Sequence, residues 1–230
     1  MAVTKKYKAI LFDLDGTLLN TLADLGNSVN AVLAELGYPQ HPIDRFPAFI
    51  GDGVGNLFRR ALPGGEFAGH SESLITDCVA GFQRVYGEWW NRDSSLYDGI
   101  DLMLDELVAA NFKLAVLSNK PHDFTAKCVA HYFSKWPFEI VLGQRSGVPR
   151  KPDPQAPLEI AQQLAVTPTE CVFVGDSDID MRTGVNADML PIGVAWGFRS
   201  EQELLDAGAT AVLHAPNELI TALGLDSAAP

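Results

Sequence analysis

Positive charge is scarce in this chain. Only 17 Lys and Arg stand against 29 Asp and Glu among 230 residues, for a formal net charge of -12 and a sequence pI of about 4.7. Nucleic acid and anionic membrane both need a basic face, so neither is an expected partner. Cysteine is also sparse. Cys78, Cys128 and Cys171 form no CxxC and no Cys/His cluster, which argues against zinc and for buried structural thiols. Long apolar runs are missing. Ala9-Ile10-Leu11-Phe12 is short and meets a carboxylate at once, far below the ~18–20 apolar residues of a membrane span. No secretory signal is visible, so the expected location is cytoplasmic. No segment is low-complexity or repeated, and disorder is expected only in the first few residues and the tail Asp226–Pro230.

What is present is a hydrophobic content of 47%, enough for one large domain or a domain with an insertion. The apolar run from Lys8 to Asp13 suits a strand covered on both faces. A helix is expected over about Leu22 to Leu36, with Leu25, Val29, Val32 and Leu33 at helical spacing, Thr21 and Asp24 as a capping arrangement, and Gly37 as the stop. Residues 38–93 carry helical patterns, aromatics and glycine-rich breaks but no clear strand. From Leu96 strands and helices alternate. Strands are expected at 113–117, 138–142, 171–174, 191–194 and 211–213, and helices at about 100–110, 122–132, 157–164, 179–186 and 217–223. This rhythm predicts a doubly wound, mainly parallel α/β sheet with a Rossmann-like core over 1–19 and 94–230. An all-helical insertion would span 20–93, after the first strand.

In open α/β sheets, ligands bind beyond the carboxyl ends of the strands. The first strand ends in Asp13-Leu14-Asp15-Gly16-Thr17. Residues 113–117 lead into Ser118-Asn119-Lys120, and 171–174 into Gly175-Asp176-Ser177-Asp178-Ile179-Asp180. The loop after 138–142 brings Arg150-Lys151-Pro152-Asp153-Pro154. Several carboxylates on one rim repel one another unless positive charge sits among them. Hard oxygen ligands of this kind suit magnesium. Metal, lysine and hydroxyl together match what a phosphoryl group requires, and a spare carboxylate can attack phosphorus.

Taken in chain order, these four segments resemble the motifs of the haloacid dehalogenase-like hydrolases, and the resemblance covers nearly the whole chain. It implies Asp13 as nucleophile and metal ligand. Asp15 would be the general acid and then base, with its backbone carbonyl on the metal. Ser118 would donate to a phosphoryl oxygen, and Lys151 would neutralise phosphoryl charge and hold Asp13. Asp176 would be the third protein ligand to Mg2+, and Asp180 would sit in its outer shell, the alternative being a helix N-terminal acid. Gly16 and Thr17 would offer backbone N–H groups to the phosphate, and Asn119 would bind substrate. Asp178 and Asp153 read as loop acids.

The resemblance also orders the chemistries. Asp15 disfavours the dehalogenase branch, which lacks that aspartate. Residues 20–93 contain no lysine, which disfavours the phosphonate-cleaving branch and its Schiff base. Gly16-Thr17 and Gly175-Asp176 favour hydrolysis over the phosphosugar mutases. The insertion resembles the family's helical cap. The run from Ile50 to Leu62, Ser118-Asn119-Lys120-Pro121 and Trp196-Gly197-Phe198-Arg199 are similar to phosphoglycolate phosphatases. That implies 2-phosphoglycolate as substrate, with Arg60, ahead of Arg59 and Arg45, on its carboxylate. Tyr97-Asp98-Gly99 and Asn20-Thr21 depart from the usual pattern. The alternatives are a broad sugar-phosphate or small phosphate-ester phosphatase and, further off, a mutase or an inactive binding protein. In every enzymatic reading the partner is a small phosphorylated metabolite.

Overall fold

The computed structural model describes residues 6–225. The tail Asp226–Pro230 lies outside the described residues. The strands, in chain order, are β1 (Ala9–Phe12), β2 (Leu19–Asn20), β3 (Ser95–Leu96), β4 (Lys113–Pro121), β5 (Phe138–Gln144), β6 (Cys171–Gly175), β7 (Leu190–Val194) and β8 (Ala211–Leu213). The helices are α1 (Leu22–Glu35), α2 (Gly53–Ala61), α3 (Glu72–Trp89), α4 (Ile100–Ala109), α5 (His122–Tyr132), α6 (Gln155–Gln163), α7 (Asp178–Asn186), α8 (Glu201–Asp206) and α9 (Glu218–Ala222).

Six strands form one sheet in the order β5-β4-β1-β6-β7-β8, and every neighbouring pair is parallel. All four residues of β1 are fully buried. Its alternating side chains serve two faces, because successive residues of a strand point to opposite sides. Ala9 and Leu11 join Ala115, Leu117, Cys171 and Phe173 in one cluster with Ile160 and Leu164 from the α6 region. Each large apolar side chain withdrawn in this way contributes about 1.5–3 kcal/mol before the entropy of ordering is counted. From β1 the chain supplies β4 and β5 on one side, then returns to β6 on the other. That reversal puts the carboxyl ends of β4 and β6 on either side of β1, where such sheets bind ligands.

The chain divides into two compact units, one of residues 1–19 and 96–230, the other of Asn20–Ser95. The second is a largely helical cap inserted early in the Rossmann-like core. It is not purely helical: its two connecting segments pair as the short strands β2 and β3. The cap has its own apolar centre, with Phe82 stacked on Tyr86 at 4.9 Å between ring centroids and edge-on to Phe58. The expected cap of α1 is corrected. Thr21 makes no side-chain bond to the first turn. Asp24 is instead buried, accepting from the N–H groups of Asp93 (2.9 Å) and Ser94 (3.0 Å) and from the Ser94 hydroxyl (2.6 Å). A carboxylate satisfied by three donors contributes more than a helix-end charge in water, which is why the tertiary partners win.

The three cysteines are buried free thiols, as expected. Among the described residues no helix is long and apolar enough to cross a membrane.

Candidate active site

Past Phe12 the ladder continues for one bond, from Asp13 N–H to the Val174 carbonyl at 2.9 Å. This fixes Asp13 beside the end of β6. The chain then reverses tightly. Gly16 adopts φ +92°, and a Cβ there would lie 2.2 Å from Asp176 Oδ2, so only glycine fits both the left-handed backbone and the close approach. Gly16 and Thr17 are the residues expected to offer N–H groups to a phosphate. The Gly16 N–H donates to the Leu19 carbonyl at 2.8 Å and the Thr17 N–H to the Leu14 carbonyl at 3.3 Å. Both donors close the turn. Thr17 contributes through its hydroxyl, 3.4 Å from Asp176 Oδ1, and its carbonyl, which accepts from Trp196 Nε1 at 3.0 Å.

Asp176 follows directly on Gly175, the last residue of β6. It is buried and accepts from the Phe198 N–H at 2.7 Å. Ser177 and Asp180 form a reciprocal capping box at the start of α7. Asp180 Oδ2 accepts from the Ser177 hydroxyl at 2.6 Å and its N–H at 3.1 Å, while Oδ1 accepts from Lys151 Nζ at 2.6 Å. Asp180 thus serves the helix end through one oxygen and meets Lys151 through the other. Asp178, expected as a loop acid, is instead the first residue of α7 and pairs with Arg182 one turn on, at 3.4 Å.

Lys151 is buried and also donates to Asp13 Oδ1 at 2.8 Å. Asn119 holds its main chain at both ends: Lys151 N–H donates to Asn119 Oδ1 at 3.0 Å, and Asn119 Nδ2 donates to the Lys151 carbonyl at 3.2 Å. Ser118 is buried and accepts from the Lys120 N–H at 3.3 Å. It is not a helix cap, since α5 has none from a side chain.

Carboxylate oxygens of Asp13, Asp176 and Asp180 lie within 4.8 Å of one another. Burial pushes Asp13 up to about 6. Lys151 opposes that shift, and the Asp180 and Asp15 charges reinforce it. Asp176 is raised well above the ordinary carboxylate range, first by burial and then by Asp180 and Asp13. Burial works against the charge on Lys151, but Asp13 and Asp180 outweigh it and hold the ammonium protonated. Of these three buried carboxylates, Asp13 and Asp180 share the Lys151 ammonium. The oxygen-only donor set and the uncompensated negative charge fit a hard divalent cation.

The sequence profile described as "Haloacid dehalogenase-like hydrolase" matches residues 10–194. The chain belongs to this family. Among curated relatives, a phosphoglycolate phosphatase from Psychrobacter arcticus is 34% identical over 85% of this chain and 86% of its own length. One from Colwellia psychrerythraea is 32% identical over 94% of this chain and 96% of its own. Among solved structures, a protein of Lactobacillus delbrueckii subsp. bulgaricus, provisionally assigned as a phosphoglycolate phosphatase, superposes with a TM-score of 0.87. It is 31% identical and covers 95% of this chain and 98% of that one.

With the haloacid dehalogenase-like fold established, Asp13, Asp176 and Asp180 stand as its candidate acidic cluster. One side chain beside it was not singled out by the sequence reading. Lys120 Nζ lies 2.9 and 3.1 Å from the two oxygens of Asp15. Its spacing of two from Ser118 places both on one face of β4, and that alternation was the readable signal. In the cap, Arg60 bonds Glu66 (3.2 Å), the Phe49 carbonyl (3.2 Å) and, at 3.5 Å, Asp52. Arg59 makes a bidentate pair with Glu72 at 2.7 and 2.8 Å.

Proposed function

We propose that this chain is a magnesium-dependent phosphatase that hydrolyses a small phosphate monoester through an aspartyl-phosphate on Asp13, with 2-phosphoglycolate as substrate. The observation that carries the reading is Lys151 Nζ shared between Asp13 and Asp180, with Asp176 in the same cluster. The substrate choice is supported by what the relatives are named for.

A carboxylate of Asp13 attacks phosphorus, and the bond from phosphorus to the ester oxygen breaks. Asp15 gives its proton to the departing alkoxide. It then takes a proton from water as that water attacks the acyl phosphate, releasing inorganic phosphate and restoring Asp13. Lys151 lies against the nucleophile, where it offsets phosphoryl charge, and Ser118 donates to a phosphoryl oxygen. Asn119 acts here by holding Lys151. Asp13, the Asp15 carbonyl and Asp176 would hold Mg2+, with Asp180 behind them. When bound, the ion would supply counter-charge for the phosphoryl group. Arg60 is assigned to the substrate carboxylate.

The test is phosphate release from 2-phosphoglycolate, 3-phosphoglycerate, glucose 6-phosphate, pyrophosphate and an aryl phosphate, with magnesium and with chelator. A magnesium-dependent preference for 2-phosphoglycolate supports the whole reading, with Arg60→Ala expected to raise KM for it selectively. A flat preference keeps the mechanism and removes the substrate. Full activity in chelator removes the metal, and silence on every ester removes the reaction.

A further inference from the structure

Asp15 has to deliver a proton at one oxygen and collect another from water. General acid–base catalysis of this kind contributes roughly 10²- to 10⁴-fold, and only from within hydrogen-bond reach. Its backbone is held by an isolated bridge to Leu19 just before a tight turn, which does not by itself set the side-chain torsions of the carboxylate.

Lys120 supplies what the turn does not. A single ammonium meets both carboxylate oxygens, at 2.9 and 3.1 Å. The Lys120 side chain is 3% exposed and that of Asp15 11%, so water screens the pair little. The root of the lysine is rigid. Its N–H donates to Ser118 Oγ at 3.3 Å and its carbonyl accepts from Thr125 Oγ1 at 3.2 Å. Gly143 of β5 comes so close that a Cβ there would lie 2.6 Å from that carbonyl. A long flexible cation is tied to an ordered strand at one end and to a carboxylate at the other. We infer that Lys120 is a positioning residue for proton transfer, holding the Asp15 carboxylate where it exchanges protons with the leaving group and with water. The inference rests on the phosphatase reading of Asp15. It assigns Lys120 no contact with the phosphoryl group.

The test compares Lys120→Met with the unchanged enzyme on 2-phosphoglycolate and on 4-nitrophenyl phosphate, by rapid mixing. The aryl leaving group departs without a proton, whereas the alkyl one needs it. Lys120→Met should lose about 10²-fold or more in kcat on the alkyl ester, with KM little changed. On the aryl ester it should release one equivalent of nitrophenolate at the original rate. Turnover then slows as the aspartyl-phosphate waits for its water to be activated. In an Asp15→Asn background, Lys120→Met should add no further loss. Equal loss in the first turnover of both esters, or a full further loss beside Asp15→Asn, would overturn the inference, because Lys120 would then act on the phosphoryl group itself. Lys120→Gln keeps a donor at similar reach and should fall between the two. The alkyl-to-aryl ratio is read on one folded sample, so reduced stability does not imitate the result. If neither variant folds, Lys120 is a structural counter-ion and the inference fails. If the unchanged enzyme releases phosphate from neither ester, the phosphatase reading and this inference fall together; an active enzyme whose ratio ignores Lys120 removes the inference alone.

Discussion

Asp13 is a carboxylate held where water solvates it poorly, and its proton affinity reports that. Burial lifts it to about 6 against the pull of Lys151, and Asp176 is lifted in the same direction. A divalent cation on these groups competes with protons. Cation binding should therefore be weak below about pH 6, where Asp13 is protonated, and strengthen as pH rises through that value. Affinity should change by about tenfold per pH unit for each proton displaced. Calorimetric titration of magnesium at pH 5.5 and pH 8, in buffers of different ionisation heat, should show proton release at the lower pH. A pH-independent affinity would sink the coupling. At this scale much was legible: Asp13, Asp15, Ser118, Lys151 and Asp176 lie at the carboxyl end of the sheet or in the loops that follow, and Asp180 in the first turn of the helix after β6. The turn partners of the Gly16 and Thr17 N–H groups were not legible, because motif spacing does not say which N–H groups the turn itself consumes.

The β6–α7 junction shows how an element boundary builds the site. A Cβ on Gly175 would lie 2.3 Å from Asp180 Cβ and 2.4 Å from its Cγ. Those atoms are rooted in the first turn of α7 and cannot swing aside. Gly175→Ala should cost about 1–3 kcal/mol, the usual penalty for overpacking, and should displace Asp180 from Lys151. A lowered urea midpoint together with reduced turnover would bear this out; an unchanged midpoint would not. A second junction ties β1 to the turn before β6. Glu170 pairs with Lys8 and accepts from the Thr167 N–H at 2.9 Å, which lowers its carboxyl to about 2. A depressed acid contributes stability above its unfolded value of 4.5, and that contribution is lost as pH falls toward 2. Glu170→Gln should flatten the acid limb of melting temperature against pH between those limits. Element types followed from periodicity, and β8 and α5 begin and end where expected. Three features escaped. The ribbon of β2 and β3 is too short for an alternation to show. β4 runs on to Pro121, because Ser118, Asn119 and Lys120 are polar yet buried at the site. Helix α8 is too short for a period, although its capping box of Ser200 and Glu203 was present in the sequence.

Across the whole molecule, ligand binding and folding are one equilibrium. Anything that binds only the native state adds RT ln(1 + [L]/Kd), about 2.7 kcal/mol at a hundredfold excess over Kd. For a chain of 230 residues that corresponds to about 5–10 °C in Tm. Beryllium fluoride, a tetrahedral mimic of a phosphoryl group on a carboxylate, should produce such a rise only with magnesium present. Asp13→Asn should abolish it while melting cooperatively on its own. A rise that survives Asp13→Asn would place the anion elsewhere.

The linear sequence determined the parallel α/β core, the largely helical insertion and the set of polar side chains at strand ends. Those follow from local periodicity, from turn chemistry and from the rule that such sheets bind at their carboxyl edge. Only the tertiary structure decided the pairing among those side chains. Lys151 takes Asp13 across 138 residues and Asp180 across 29, while Lys120 takes Asp15 across 105. No periodicity spans such separations. Which ammonium meets which carboxylate is set by the order of β4, β1 and β6 in the sheet, and by how closely Gly16, Gly143 and Gly175 let their backbones approach.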